Sequence, residues 1–171
     1  DNIDTVVERL CNVDGSEPSV ESTGYRVGER CVEMEQFVHT QTTTPNATAP
    51  TPPTTYEFQV LRTRHGIVQE RTTVDGEPVA VVKQRSTYGR EVDSVIGFSQ
   101  LNDPGFVRDA RTFQRAAGNI DFTFNWFYAD DRDIAYFSSG LLPQRARGGE
   151  PDLPRWGEQK YDWQGWLPYA A

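Results

Sequence analysis

The 171-residue chain carries 25 acidic side chains against 17 lysines and arginines, a formal net charge of −8 with a pI near 4.8. That balance excludes the basic face a nucleic-acid partner requires and any attraction to an anionic membrane surface. No run of about 18 apolar residues is present to span a bilayer. Hydrophobic residues are only 36% of the chain while aromatics reach 12%, so the apolar content sits in large side chains, enough for a sizeable core. The chain starts at Asp1 without Met or a secretory leader, which reads as an internal piece of something longer.

Taken in order, Thr5 to Leu10 predicts a strand, and the Gly-, Ser-, Pro- and Glu-rich stretch from Asn12 to Thr23 a loop. Tyr25 to Val38 alternates loosely and reads as one strand or two short ones. Residues 41–55 form a Thr/Pro-rich insert with too little to bury to offset its ordering entropy, expected to be a mobile surface segment. It contains the sequon Asn46-Ala47-Thr48, for which chance occurrence is the favoured reading. Tyr56 to Thr63 and Ile67 to Thr73 predict strands flanking an Arg64-His65-Gly66 turn, and Asp75-Gly76 marks the next turn before Val79 to Lys83. Val92 to Phe98 fits either a short helix or a buried strand. Asp103-Pro104 has the form of a helix start, giving an amphipathic helix from Pro104 to Ala117 that Gly118 ends. This divides the chain into a β-rich meander over 1–90 and a second part over 91–171, together one fragment of a larger domain.

Phe122, Phe124, Trp126 and Tyr128 fall on one face of a strand and Thr123, Asn125 and Phe127 on the other. The polar turn Asp130 to Asp133 leads to a second strand from Ile134 to Ser138. This hairpin is apolar on both faces, so both require cover. The acidic turn itself reads as a hydrated hairpin turn rather than a cation site.

Little in the chain suggests chemistry directly. His65 reads as a turn residue, His39 as an exposed neighbour of the insert, and no glycine-rich phosphate loop precedes a helix. The two cysteines, Cys11 and Cys31, are too few for a four-ligand zinc site. They suit either one disulfide closing a loop of about twenty residues, worth ~3 kcal/mol, or two separate buried thiols.

Several motifs, in order and spacing, resemble the penicillin acylases. Phe124-Asn125-Trp126-Phe127-Tyr128-Ala129-Asp130, then Ile134-Ala135-Tyr136, Gly140, Pro143 and Arg145, is similar to the strand–turn–strand that follows the family's substrate pocket. Asp1-Asn2-Ile3-Asp4 with Glu8-Arg9-Leu10 resembles its acidic strand, and Arg62-Thr63-Arg64-His65-Gly66 its Arg-Thr-x-His-Gly hairpin. Glu150 to Pro154, Tyr161 to Gly165 and Leu167-Pro168 resemble its Pro-rich loop and C-terminal motif.

The resemblance implies an α+β, predominantly β chain: part of the αββα fold of N-terminal-nucleophile hydrolases, from the large subunit. The parent would hydrolyse the amide bond of an N-acylated small molecule, of β-lactam or acyl-homoserine lactone type. An N-terminal serine, outside this chain, would use its own α-amine as the base, and the oxyanion donors also fall outside. No catalytic residue is therefore expected here. Phe98 and Phe124 align with positions lining the acyl pocket. The carboxylates of Asp1 and Asp4 and the carbonyls of Ile3 and Pro151 align with a structural calcium site, an oxygen-donor set suited to that hard cation. The resemblance also implies a secreted or periplasmic protein, which favours the Cys11–Cys31 disulfide. Its partners would be the remaining segments of the parent acylase or a second copy. A different reading is a secreted aromatic-rich β module that binds a carbohydrate through Trp156, Trp163 and Trp166.

Overall fold

The computed structural model describes residues 2–45, 48, 51–148 and 150–168. Asp1 of the expected calcium set, and Asn46 and Ala47 of the sequon, lie outside these. The chain forms two compact units, one of residues 6–83 and one of residues 1–5 with 84–171. The division thus falls near residue 83, and the first five residues group with the second half.

The strands are β1 (Ile3–Cys11), β2 (Gly24–Val27), β3 (Arg30–Glu33), β4 (Glu35–Thr42), β5 (Thr55–Arg62), β6 (Ile67–Val74) and β7 (Glu77–Arg85). They form one sheet in the order β3-β2-β1-β7-β6-β5-β4. Its hairpins follow from turn chemistry. At the β6–β7 turn, Asp75 and Gly76 take φ of 52° and 83°, the left-handed values a tight two-residue hairpin demands. Val6, Leu10, Tyr25, Met34, Leu61, Ala80 and Val82 make the core of the 6–83 unit.

Cys11 and Cys31 are joined by a disulfide with Cα atoms 5.9 Å apart. Gly24 pairs with Cys11 across the β1–β2 ladder. A Cβ on Gly24 would stand 2.5 Å from the Cys11 carbonyl oxygen and 2.9 Å from the Cys31 sulfur, so the bridge passes over a residue that has room only for hydrogen.

The β4–β5 hairpin is an almost wholly exposed ribbon. All eight residues of β4 are exposed, as are all of β5 except Val60 and Leu61. The ladder runs from Glu35↔Arg62 to Thr42↔Thr55, and the Thr43 N–H continues it by donating to the Thr54 carbonyl. Both ends of the expected mobile insert are thereby paired. β5 meets β6 at Arg62↔Ile67.

In the second unit the ambiguous stretch after residue 90 is helical: a 3₁₀ turn, Glu91–Ser94, runs into α1 (Val95–Leu101). α2 spans Ala110–Ala117, not Pro104 to Ala117. Asp103 instead spends its side chain and carbonyl closing a turn over Gly105, Phe106 and Val107. The helix starts at Asp109, which makes a reciprocal capping box with Thr112. The expected amphipathic helix is thus shorter than read, and α1 stands beside it as a second helix. Gly97 of α1 lies against Ile120, leaving no room for a Cβ.

β8 (Asn125–Ala129) and β9 (Ile134–Ser138) form a separate two-stranded sheet. Trp126↔Phe137 and Tyr128↔Ala135 share the face toward α2, where Phe113 stacks on Tyr128 at 5.3 Å. Phe127↔Tyr136 and Ala129↔Ile134 share the other. That face is bare: Phe127 is 76% exposed and Ile134 87%. A short β10 (Arg155–Trp156) pairs with β1.

Candidate functional site

The two expected pocket residues come together within the second unit. Phe98 projects from α1 and Phe124 precedes β8, and their ring centroids lie 6.4 Å apart at 65°. Trp126 completes a triangle, 5.9 Å from Phe98 and 5.6 Å from Phe124, both edge-to-face. Phe122 adjoins Phe124 at 6.0 Å. Edge-to-face rings add stability beyond buried area and hold one another in fixed orientations. The strand alternation puts Phe122, Phe124 and Trp126 on a common side, but only α1 brings Phe98 to them.

Trp126 is anchored by its polar end. Its indole N–H donates to Ser139 Oγ at 3.0 Å, and that fully buried hydroxyl donates to the Phe122 carbonyl at 2.6 Å. The cluster is partly open, with Phe124 46% exposed. It offers an apolar wall with no ionisable group in its ring contacts, suited to hold an aromatic or alkyl group rather than to transform one.

Asp4 stands apart from this wall. β1 buries alternate residues, Asp4, Val6, Glu8 and Leu10, so two carboxylates point inward and each must be paired. Asp4 Oδ1 accepts from Arg145 Nη2 at 2.6 Å and Nε at 2.9 Å, and Oδ2 accepts from Trp163 Nε1 at 2.7 Å. Arg155 Nε lies 3.5 Å from Oδ2. Burial alone would raise this carboxyl, but the hydrogen bonds from Arg145 and Trp163 and the two guanidinium charges hold it below the ordinary value. In the other unit Glu8 is paired with His65 Nδ1, both side chains almost fully buried.

Of the expected calcium set, Asp1 lies outside the described residues, and both Asp4 oxygens accept from Arg145 and Trp163. Pro151 lies in an exposed turn, and among the described residues no group of three or more His, Cys, Asp or Glu could hold a metal. The indole N–H of Trp163 is likewise committed, and its ring meets Trp166 edge-on at 5.7 Å and 67°. The pair is a corner, unlike the flat platform a sugar ring stacks on. Arg145, Arg155 and Trp163 were not predicted as partners of Asp4; the inward-facing carboxylate was the signal that some such donors existed.

A family model for penicillin amidase matches residues 1–171. Penicillin G acylase of Escherichia coli is 32% identical over 172 residues, covering 99% of this chain and 18% of that protein. A solved structure of a thermostable penicillin G acylase from Alcaligenes faecalis matches with a TM-score of 0.75 at 26% identity, over 99% of this chain and 27% of that one. The fold is thus a mostly β portion of an N-terminal-nucleophile hydrolase. The chain belongs to the penicillin amidase family. It spans less than a third of either relative.

Proposed function

We propose that the parent of this chain is an amidohydrolase that cleaves the amide bond of an N-acylated small molecule, releasing an acid and an amine. The observation that carries this is the family match over every residue of the chain. Within the parent, Phe98, Phe124 and Trp126 would form one wall of the pocket for the acyl chain, a β-lactam or acyl-homoserine lactone side chain being the candidate. Their role is to bind and orient by apolar contact and to exclude water. Attack and oxyanion stabilisation would come from residues elsewhere in the parent. The disulfide supports a secreted or periplasmic location, where such bonds persist. The bare Phe127 face of the β8–β9 hairpin is the proposed contact for remaining segments of the parent or a second copy.

Expression of the complete gene, followed by assay with phenylacetyl- and hexanoyl-p-nitroanilide, tests this reading. Release of nitroaniline is expected, with Phe124→Ala raising KM more than it lowers kcat, since an apolar wall binds ground and transition states alike. Failure to cleave either amide, or a Phe124→Ala effect confined to kcat, would count against it.

A further inference from the structure

The β4–β5 ribbon, in the 6–83 unit, is sorted into two unlike faces. The pairs Phe37↔Val60, His39↔Phe58 and Gln41↔Tyr56 lie on one face. Directly paired side chains share a side of the sheet, and alternate pairs share the same side. That face therefore carries three aromatic rings, with Phe37, Tyr56 and Phe58 46%, 50% and 47% exposed. Tyr56 and Phe58 lie 6.3 Å apart. The other face carries Gln36, Thr40, Glu57 and Gln59, with Gln36 and Gln59 hydrogen-bonded across the strands, and has Val38 as its one fully exposed apolar side chain. A ribbon wet on both sides has no use for this sorting.

The ribbon is about 25 Å long at the usual rise of a strand, and a two-stranded hairpin is marginal in water without a covering layer. The ion pair at its root, Glu35 with Arg62, is closed on itself, with the Arg62 guanidinium also over the Phe37 ring at 5.1 Å. The aromatic face thus presents no unbalanced carboxylate or guanidinium charge, and its complement is apolar.

We propose that this aromatic face is a docking surface, and that its occupant is an apolar segment of the same parent protein from outside these 171 residues. The proposal rests on the reading of this chain as part of a longer acylase. The relatives extend far beyond the part this chain matches, which is only 18% and 27% of their lengths. A second copy is the poorer occupant, because a net charge of −8 on each copy opposes association.

Hydroxyl-radical footprinting of the wild-type proteins, read by mass spectrometry, tests this without a substitution that could unfold the ribbon. Phe37, Tyr56 and Phe58 are expected to oxidise readily in the 171-residue chain and several-fold more slowly in the complete protein, with Val38 reactive in both. Equal reactivity of the rings in both proteins, or protection of Val38 together with the rings, would overturn the proposal. So would protection in the 171-residue chain accompanied by a dimeric mass in light scattering, which would make a second copy the occupant. Amide cleavage by the complete protein is scored separately, so an inactive but protected protein refutes only the proposed function, and an active but unprotected one only the docking surface.

Discussion

At the scale of single residues the chain is governed by inward-facing charge. The strand over Thr5 to Leu10 was legible, but not that it buries two carboxylates, Asp4 and Glu8. Nor were their partners, because Arg145 and His65 lie 141 and 57 residues away from them and no local pattern encodes such distances. Asp4 has a depressed carboxyl, so its contribution is complete above the unfolded value near ~3.9 and is lost as pH falls through the lower folded one. Asp4→Asn is expected to cost about 3 kcal/mol or more at pH 7. The gap from wild type in urea unfolding should narrow progressively below about pH 4; a gap independent of pH would show that the charge is not what matters. Calcium tests the same carboxylate differently. With its oxygens taken by arginine and indole donors, EGTA should leave the melting temperature of this chain unchanged. A drop of more than about 3 °C, near 1 kcal/mol for a chain this size, would mean that a metal competes successfully with Arg145.

Among the elements, the hairpins were the most readable and the helices the least. Asp75-Gly76 encodes its turn in two residues. Asp103, followed by Pro, reads as the helix start, but the helix begins at Asp109. What decided was Thr112, three residues after Asp109, which closes the capping box. Asp109→Ala should therefore destabilise the chain by ~1 kcal/mol in chemical unfolding, whereas Asp103→Ala should not shorten α2; equal loss of α2 amide protection in both variants would contradict this. The hairpin turn offers a spectroscopic check. Tyr128 donates to Asp130 at 2.6 Å; that bond, with nearby acidic groups, pushes the phenol up to about 12, while the same bond and the Arg132 and Asp133 backbone N–H groups hold Asp130 down at about 2. In an ultraviolet titration, Asp130→Asn should bring one tyrosine back toward the ordinary value near ~10. An unchanged titration curve would break the assignment.

At the scale of the whole molecule, the Phe127 face is exposed as expected, although Phe137 turns toward α2 and is half-buried. Phe98 and Phe124 could be aligned from sequence, but the wall they make with Trp126 needed α1, whose helical character was ambiguous. The family resemblance implies that the nucleophile and oxyanion donors lie outside this chain. Loss of a single oxyanion donor already costs roughly 10²–10³ in rate, so the 171 residues alone should not cleave phenylacetyl-p-nitroanilide. Turnover above a heat-treated control, surviving repurification, would disprove that.

The glycine beneath the disulfide carries a consequence for how this sequence can diverge. A methyl group at position 24 would collide with the Cys11 carbonyl and the Cys31 sulfur, so position 24 cannot vary while the bridge stands. The tighter of the two contacts is with backbone and outlasts the bridge. In a library randomised at 11, 24 and 31 and selected for folded protein, glycine should be recovered at 24 whether or not both cysteines are kept; larger residues at 24 beside an intact Cys11–Cys31 pair would contradict this.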